Sequence, residues 1–151
     1  MRAAAAQAIV QRPFPSPIRP GVIVSGFMPL KSEINPIALM RKLADAGAQL
    51  ALPAVAGRGR PLVMRAFTFG DTLAPDILLV PLLCFDRSGH RIGYGAGYYD
   101  MTIAALRERK AVLAVGIGFA AQEIEQVPKT PRDARLDLML TERESIDFRN
   151  T

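Results

Sequence analysis

The stretch PDILLVPLLCFDRSGHRIGYGAGYYDMTIAALRERK, residues 75–110, sets the architecture of this chain. It opens on the continuous apolar run DILLVPLLCF, typical of a strand covered on both faces. It closes on MTIAALRERK, whose apolar positions recur at helical spacing. Between them lies DRSGHRIGYGAGYYD, which holds Gly89, Gly93, Gly95 and Gly97 together with all three tyrosines of the chain, Tyr94, Tyr98 and Tyr99. A strand, a glycine-rich loop and a helix, in that order, form the unit with which open α/β sheets bind ligands at the carboxyl ends of their strands.

The flanking sequence repeats the alternation. GVIVSGFMPL is β-branched and apolar between prolines, so residues 22–27 read as a buried strand. In NPIALMRKLADAG, Asn35 is placed to cap a helix, Pro36 suits its first position, Ile37, Met40, Leu43 and Ala44 share one face, and Gly47 closes it. AQLALPAV and PLVMRAF read as strands, AVLAVGIGF as another, AAQEIEQV as a short helical turn and RLDLMLTE as a last strand. The opening MRAAAAQAIVQRPFP reads as the end of an amphipathic helix rather than a signal peptide. This order predicts a three-layer α/β/α domain around a mostly parallel, Rossmann-like open sheet. With no internal repeat and no linker, residues 1–151 read as a single domain.

Composition narrows the function classes. Half of the 151 residues are hydrophobic, enough for a packed core, and no apolar run reaches the length of a membrane span. The lone Cys84 sits in an apolar run, reads as a small buried hydrophobe, and fits a reducing, cytoplasmic setting. The net charge of +5 is uneven: residues 1–70 carry nine Lys/Arg against two acids, residues 71–151 ten against twelve. A basic half suits an anionic partner. No Lys/Arg cluster interleaves with aromatics and Trp is absent, so nucleic acid is not the expected partner. A nucleic-acid or regulatory binding module is carried as a minor alternative on charge alone.

The glycine-rich loop holds the chemistry. Glycine at alternate positions removes the Cβ atoms that keep ligands from the main chain, so successive N–H groups can face an anion at the start of a helix. The spacing matches neither the P-loop nor the dinucleotide fingerprint. Arg91 before the glycines is a candidate to neutralise phosphate, and Asp100 at the loop exit is a candidate for a magnesium ion bridging phosphates. Around the loop, His90 reads as an exposed histidine and Asp86 as the start of a turn, with orientation of the loop as its lesser reading. Phe27 and Met28 read as core. Gly116, Gly118 and Gln122 are lesser candidates for nucleotide contact at the next strand end.

VPLLCFDRSGHRIGYGAGYYD resembles the signature P-x-x-x-F-D-x-x-G-x-R-[LI]-G-x-G-x-G-Y-Y-D of the 5-formyltetrahydrofolate cyclo-ligase family, whose members are also called methenyltetrahydrofolate synthetases. MPLKSEINP, LALP and PRDARLDLMLTE extend the resemblance across residues 25–142. It implies ATP- and Mg2+-dependent closure of 5-formyltetrahydrofolate to 5,10-methenyltetrahydrofolate, by phosphorylation of the formyl oxygen and attack of N10. It implies an ATP loop of Arg91, Ile92, Gly93, Tyr94, Gly95, Ala96, Gly97, Tyr98 and Tyr99, with Arg91, Tyr98 and Tyr99 also catalytic. Asp100 and Asp133 would hold the metal, and Met28, Glu33 and Tyr99 would meet the folate, polyglutamylated or not. Read without the resemblance, Glu33 is a helix-entry charge and Asp133 a cap or surface carboxylate. A monomer without membrane or nucleic-acid partners is expected.

Three departures from the family pattern stand out. Ala96 replaces a usual Lys, and Arg58, Arg60 or Arg91 is the candidate replacement cation. The N-terminal helix looks shortened, with Arg2 and Arg12 left of a basic cluster. Ala74 abuts Pro75 where the family has a further segment, which reads as a stretch omitted from the sequence. A paralogue that binds nucleotide or phosphate through the same loop, with the reaction lost or changed, is the alternative function.

Overall fold

A computed structural model of the chain describes residues 2–29, 33–55, 60–66, 72–93, 97–128 and 133–149. Helix α1 (Arg2–Gln11) precedes β1 (Ile23–Ser25), α2 (Ile37–Asp45), β2 (Gln49–Val55), β3 (Leu62–Ala66), β4 (Thr72–Leu73) and β5 (Ile77–Val80). There follow β6 (Cys84–Phe85), β7 (Arg91–Ile92), α3 (Tyr98–Arg107), β8 (Leu113–Ile117), a 3-10 turn (Ala120–Gln122), β9 (Leu138–Leu140) and β10 (Ser145–Asp147). Eight strands form one sheet in the order β10-β9-β8-β5-β1-β2-β3-β4, and β6 and β7 form a separate hairpin. The central neighbours, β9 to β8, β8 to β5, β5 to β1 and β1 to β2, are all parallel. Antiparallel β3, β4 and β10 finish the two edges.

The expected three layers are present. One face of the sheet packs Val24, Ile77, Leu79, Val115 and Leu138 against Ala5 and Ile9 of α1 and Leu39, Met40 and Leu43 of α2. The other packs Ala51, Leu78, Val80, Ala114 and Met139 against Ile103 and Leu106 of α3. Alternate residues of β5 serve opposite faces, and all four are fully enclosed, as its unbroken apolar sequence requires. Burying each such leucine contributes about 2–3 kcal/mol. Among the described residues no helix is long and apolar enough to cross a membrane.

The sequence reading needs correction at several boundaries. The run DILLVPLLCF is two strands, because Pro81 has no N–H to continue a ladder and the chain leaves the sheet there. Cys84 then lies in the hairpin and is partly exposed, not buried. Met28 is 59% exposed beyond the end of β1, whereas Phe27 is core. Helix α2 starts at Ile37 with Pro36, not Asn35, at the cap position; Asn35 sits one residue earlier, where its Oδ1 accepts from the Ile37 amide at 2.9 Å. Helix α3 begins at Tyr98, three residues before the expected MTIAALRERK.

Side chains of the basic first half also hold the frame. Lys42 Nζ donates to the carbonyls of Val10 and Arg12 at 2.7 and 2.8 Å, closing the end of α1. Arg12 donates to the carbonyls of Thr141, Glu142 and Glu144, which fastens α1 to the turn before β10.

Candidate functional site

The site forms where β5 leaves the sheet and the chain returns through the β6–β7 hairpin into α3. Arg91, first residue of β7, pairs with Phe85 across the hairpin. Its side chain is 3% exposed, with Nη2 3.2 Å from Asp100 Oδ1. Its Cζ lies 5.9 Å from the centroid of the Tyr99 ring. Nε is buried without a hydrogen-bond partner. An unmatched donor on a buried cation is costly and marks a place for an acceptor. Burial pushes the guanidinium pKa down, and Asp100, Tyr99 and Asp133 counter it, so two carboxylates and a phenol face this one cation.

The amides expected to bind an anion are arranged by the start of α3. Gly97 takes a left-handed conformation (φ 66°) at the cap position, with no side chain capping the helix. A Cβ there would meet nothing within 4 Å, so the glycine answers to the backbone angle, not to crowding. Tyr98, Tyr99 and Asp100 form the first turn, where N–H groups lack intrahelical acceptors and the helix dipole is positive. A Cβ on Gly93 would come within 3.2 Å of Arg91 Nη1, so a bare main chain here keeps the guanidinium in place. The turn is held by Thr102, whose Oγ1 donates to the Tyr98 carbonyl at 2.6 Å and accepts from the Leu62 amide at 2.7 Å.

Asp100 Oδ1 accepts both from Arg91 and from the Ala134 amide at 3.0 Å. Asp133, next to Ala134, acts on the same guanidinium. Of the two expected metal ligands, Asp100 bonds Arg91 directly and Asp133 acts on it through its charge. Among the described residues no group of three or more His, Cys, Asp and Glu forms a ready metal cluster. Burial pushes the Tyr99 hydroxyl pKa up; Arg91 opposes this and Glu33 adds to it. Tyr99 therefore stays a protonated donor near neutral pH, and Glu33, expected at the folate, shares its surroundings. Ile92 pairs with Cys84 across the hairpin and is partly buried, as is Tyr98. Met28 and Glu33 follow the end of β1, the neighbour of β5 in the sheet. Tyr94, Gly95, Ala96 and Arg58 lie outside the described residues, and Arg60 is exposed.

Other candidates serve packing. A Cβ on Gly116 would approach Met139 Sδ to 2.6 Å, and one on Gly118 would approach Gln122 Oε1 to 2.6 Å, so these glycines admit neighbouring side chains rather than a base. Gln122 accepts from the Phe119 amide and donates to the carbonyls of Leu82 and Leu83. His90 is only partly exposed, with Nδ1 2.7 Å from Ser88 Oγ. Asp86 is more than the start of a turn: it is a buried carboxylate that accepts from Ser88, His90 and Val127. Sequence reading missed the backbone partners on residues 127–136, for which only the Asp-x-Ser-Gly turn gave a signal.

The 5-formyltetrahydrofolate cyclo-ligase family matches residues 70–142. A protein named 5-formyltetrahydrofolate cyclo-ligase from Mycolicibacterium smegmatis is 31% identical over 150 residues, covering 83% of this chain and 76% of that one. One of the same name from Haemophilus influenzae is 38% identical over 61 residues, 40% of this chain and 32% of the relative. Among solved structures, a 5,10-methenyltetrahydrofolate synthetase from Mycoplasma pneumoniae shares the fold with a TM-score of 0.79 at 22% identity, over 93% of this chain and 87% of that one.

Proposed function

The chain belongs to the 5-formyltetrahydrofolate cyclo-ligase family, and from that membership we propose that it closes 5-formyltetrahydrofolate to 5,10-methenyltetrahydrofolate with ATP and Mg2+. The observation that carries this reading is the buried Arg91 guanidinium with its unmatched Nε, set beside the uncapped first turn of α3. A cation and main-chain donors that face one place are what a polyphosphate requires.

Cyclisation needs an activating group because an amide oxygen is a poor leaving group; ATP supplies the phosphoryl that makes it a good one. The residues of this chain hold and orient. Arg91 and the amides of Tyr98, Tyr99 and Asp100 bind phosphate oxygens and stabilise the charge that grows on them. Asp100 and Asp133 offer hard oxygen donors, which suit Mg2+. Among the described residues Asp100 Oδ1 accepts from Arg91 and from the Ala134 amide, which orients this carboxylate. The protonated Tyr99 hydroxyl donates towards the formyl or phosphate oxygen. Glu33 accepts N–H groups of the pterin end.

Ala96 in place of the family's usual Lys favours the second reading, a paralogue that binds nucleotide without turnover. Methenyl-folate absorbance, followed with purified protein, ATP, Mg2+ and 5-formyltetrahydrofolate, decides between them. Turnover that depends on ATP supports the ligase. Calorimetric ATP binding with no absorbance change would defeat it in favour of the paralogue.

A further inference from the structure

Residues 86–90 form a turn before Arg91 whose bonds reach away from the sheet. Asp86 Oδ1 accepts from the Ser88 amide (2.9 Å), Ser88 Oγ (2.7 Å) and the His90 amide (3.2 Å), while Oδ2 accepts from the Val127 amide at 2.8 Å. The Ser88 carbonyl accepts from Arg135 Nε at 2.6 Å, and the Gly89 carbonyl accepts from the Leu136 amide at 2.8 Å. The turn therefore grips Val127 on one side and the stretch 133–136 on the other. That stretch carries Asp133 and Ala134, which face Arg91 and Asp100. Gly89 fits this grip closely: its φ is 89°, and a Cβ would meet the Leu136 carbonyl at 3.0 Å and the Phe148 ring at 3.1 Å.

We propose that Asp86 is a positioning residue: through the turn 86–90 it holds Val127 on one side and residues 133–136 on the other in register with Arg91 and so sets the geometry in which Asp133 and Asp100 receive a metal-bound nucleotide. The inference rests on the ATP and Mg2+ reading above and adds to it the element that places the metal ligands. Asp86 touches neither substrate nor metal. Its oxygens face only donors, so one uncharged amide cannot replace it. In Asp86→Asn, the Nδ2 group confronts either the Val127 N–H or the N–H groups of Ser88 and His90, and one buried donor loses its acceptor. Asp86 bonds to neither expected metal ligand and acts on them through the turn and residues 135–136, so the expected loss of metal affinity is about 10-fold, the low end for groups that support metal ligands.

The test compares calorimetric binding of a non-hydrolysable ATP analogue with Mg2+ and with EDTA. For Asp86→Asn we expect affinity with Mg2+ to fall about 10-fold and affinity in EDTA to stay within about twofold of wild type. The KM for 5-formyltetrahydrofolate should not move. Ser88→Ala, which removes the Oγ contacts with Asp86 and His90 but keeps the amide bonds to Asp86, should lose about threefold of the Mg2+-dependent affinity, and Ser88→Thr, which keeps the hydroxyl, should restore it. If Asp86→Asn does not fold, the Ser88 pair decides by the same ratio. A variant that loses affinity equally in both conditions, or in neither, overturns the inference. If wild-type protein binds the analogue in neither condition, the ATP reading fails and the inference fails with it.

Discussion

Asp86 and Arg91 stand five positions apart on the same hairpin, both buried and both charged, and their surroundings differ in kind. Every bond to Asp86 comes from the protein itself: two amides and a hydroxyl inside the turn, and a third amide from the stretch it holds. Its charge is part of the frame. Arg91 has a carboxylate on one nitrogen, an aromatic ring below, and nothing on Nε. Its charge is incompletely compensated from within, at the start of a helix that no side chain caps. A buried charge that the fold saturates holds shape, and one that it leaves partly bare is the better candidate for a ligand.

The largest effect should come from replacing the open member. Arg91→Met keeps length and burial while it removes the charge, and kcat/KM for ATP should fall at least about 100-fold, or about 2.7 kcal/mol. Removing one partner of a buried pair leaves the other charge uncompensated, but Asp100 is partly exposed and keeps the Ala134 amide, so the thermal midpoint should fall only modestly beside the loss of catalysis. A variant that melts early but retains catalysis would reverse the contrast with Asp86.

Acid should act on the closed member. Burial alone would raise the Asp86 pKa, but the bonds from Ser88, Val127 and His90 outweigh it and hold it below the ordinary 3.8; Asp76 shifts the same way. The folded chain thus binds these protons less readily than the unfolded one. The stabilisation is complete above the unfolded value and disappears as pH falls through the folded value. Urea midpoints taken between about pH 5 and pH 2 should drop more steeply for wild type than for Asp86→Asn. Parallel curves would show that this carboxylate stabilises nothing.

The smallest effect belongs to the outer side of the same turn. Arg87 makes salt bridges with Glu123 and Glu144, both at 2.9 Å, from a side chain that is half exposed. Arg87→Ala should change stability by less than about 1 kcal/mol and leave the KM for ATP alone. A larger loss would mean that surface pairs, not the buried carboxylate, hold the turn.

Much of this was legible in the residues. The enclosed β5 and the loop-to-helix passage after it follow from an unbroken apolar run, a proline and a cluster of glycines. What escaped was of two kinds. β4, β7 and β10 are two or three residues long, too short to show a period. Strand direction carries no local signature either, so the antiparallel edges could not be told from the parallel centre. In the site, Arg91, Asp100 and Tyr99 could be named because their side chains belong to one contiguous motif. The amides of Val127, Ala134 and Leu136 could not, since a backbone donor looks the same at every position and only the fold brings it near. Met28 failed for a similar reason: an apolar residue after a buried strand is core only if the chain stays in the sheet.

Thr102 has a bearing on how this site meets its ligand. One hydroxyl joins the opening turn of α3 to the leading residue of β3, so the helix cannot advance along its axis without parting from the strand beside it. The opening turn of α3 is thereby anchored to the sheet edge rather than to the loop that precedes it.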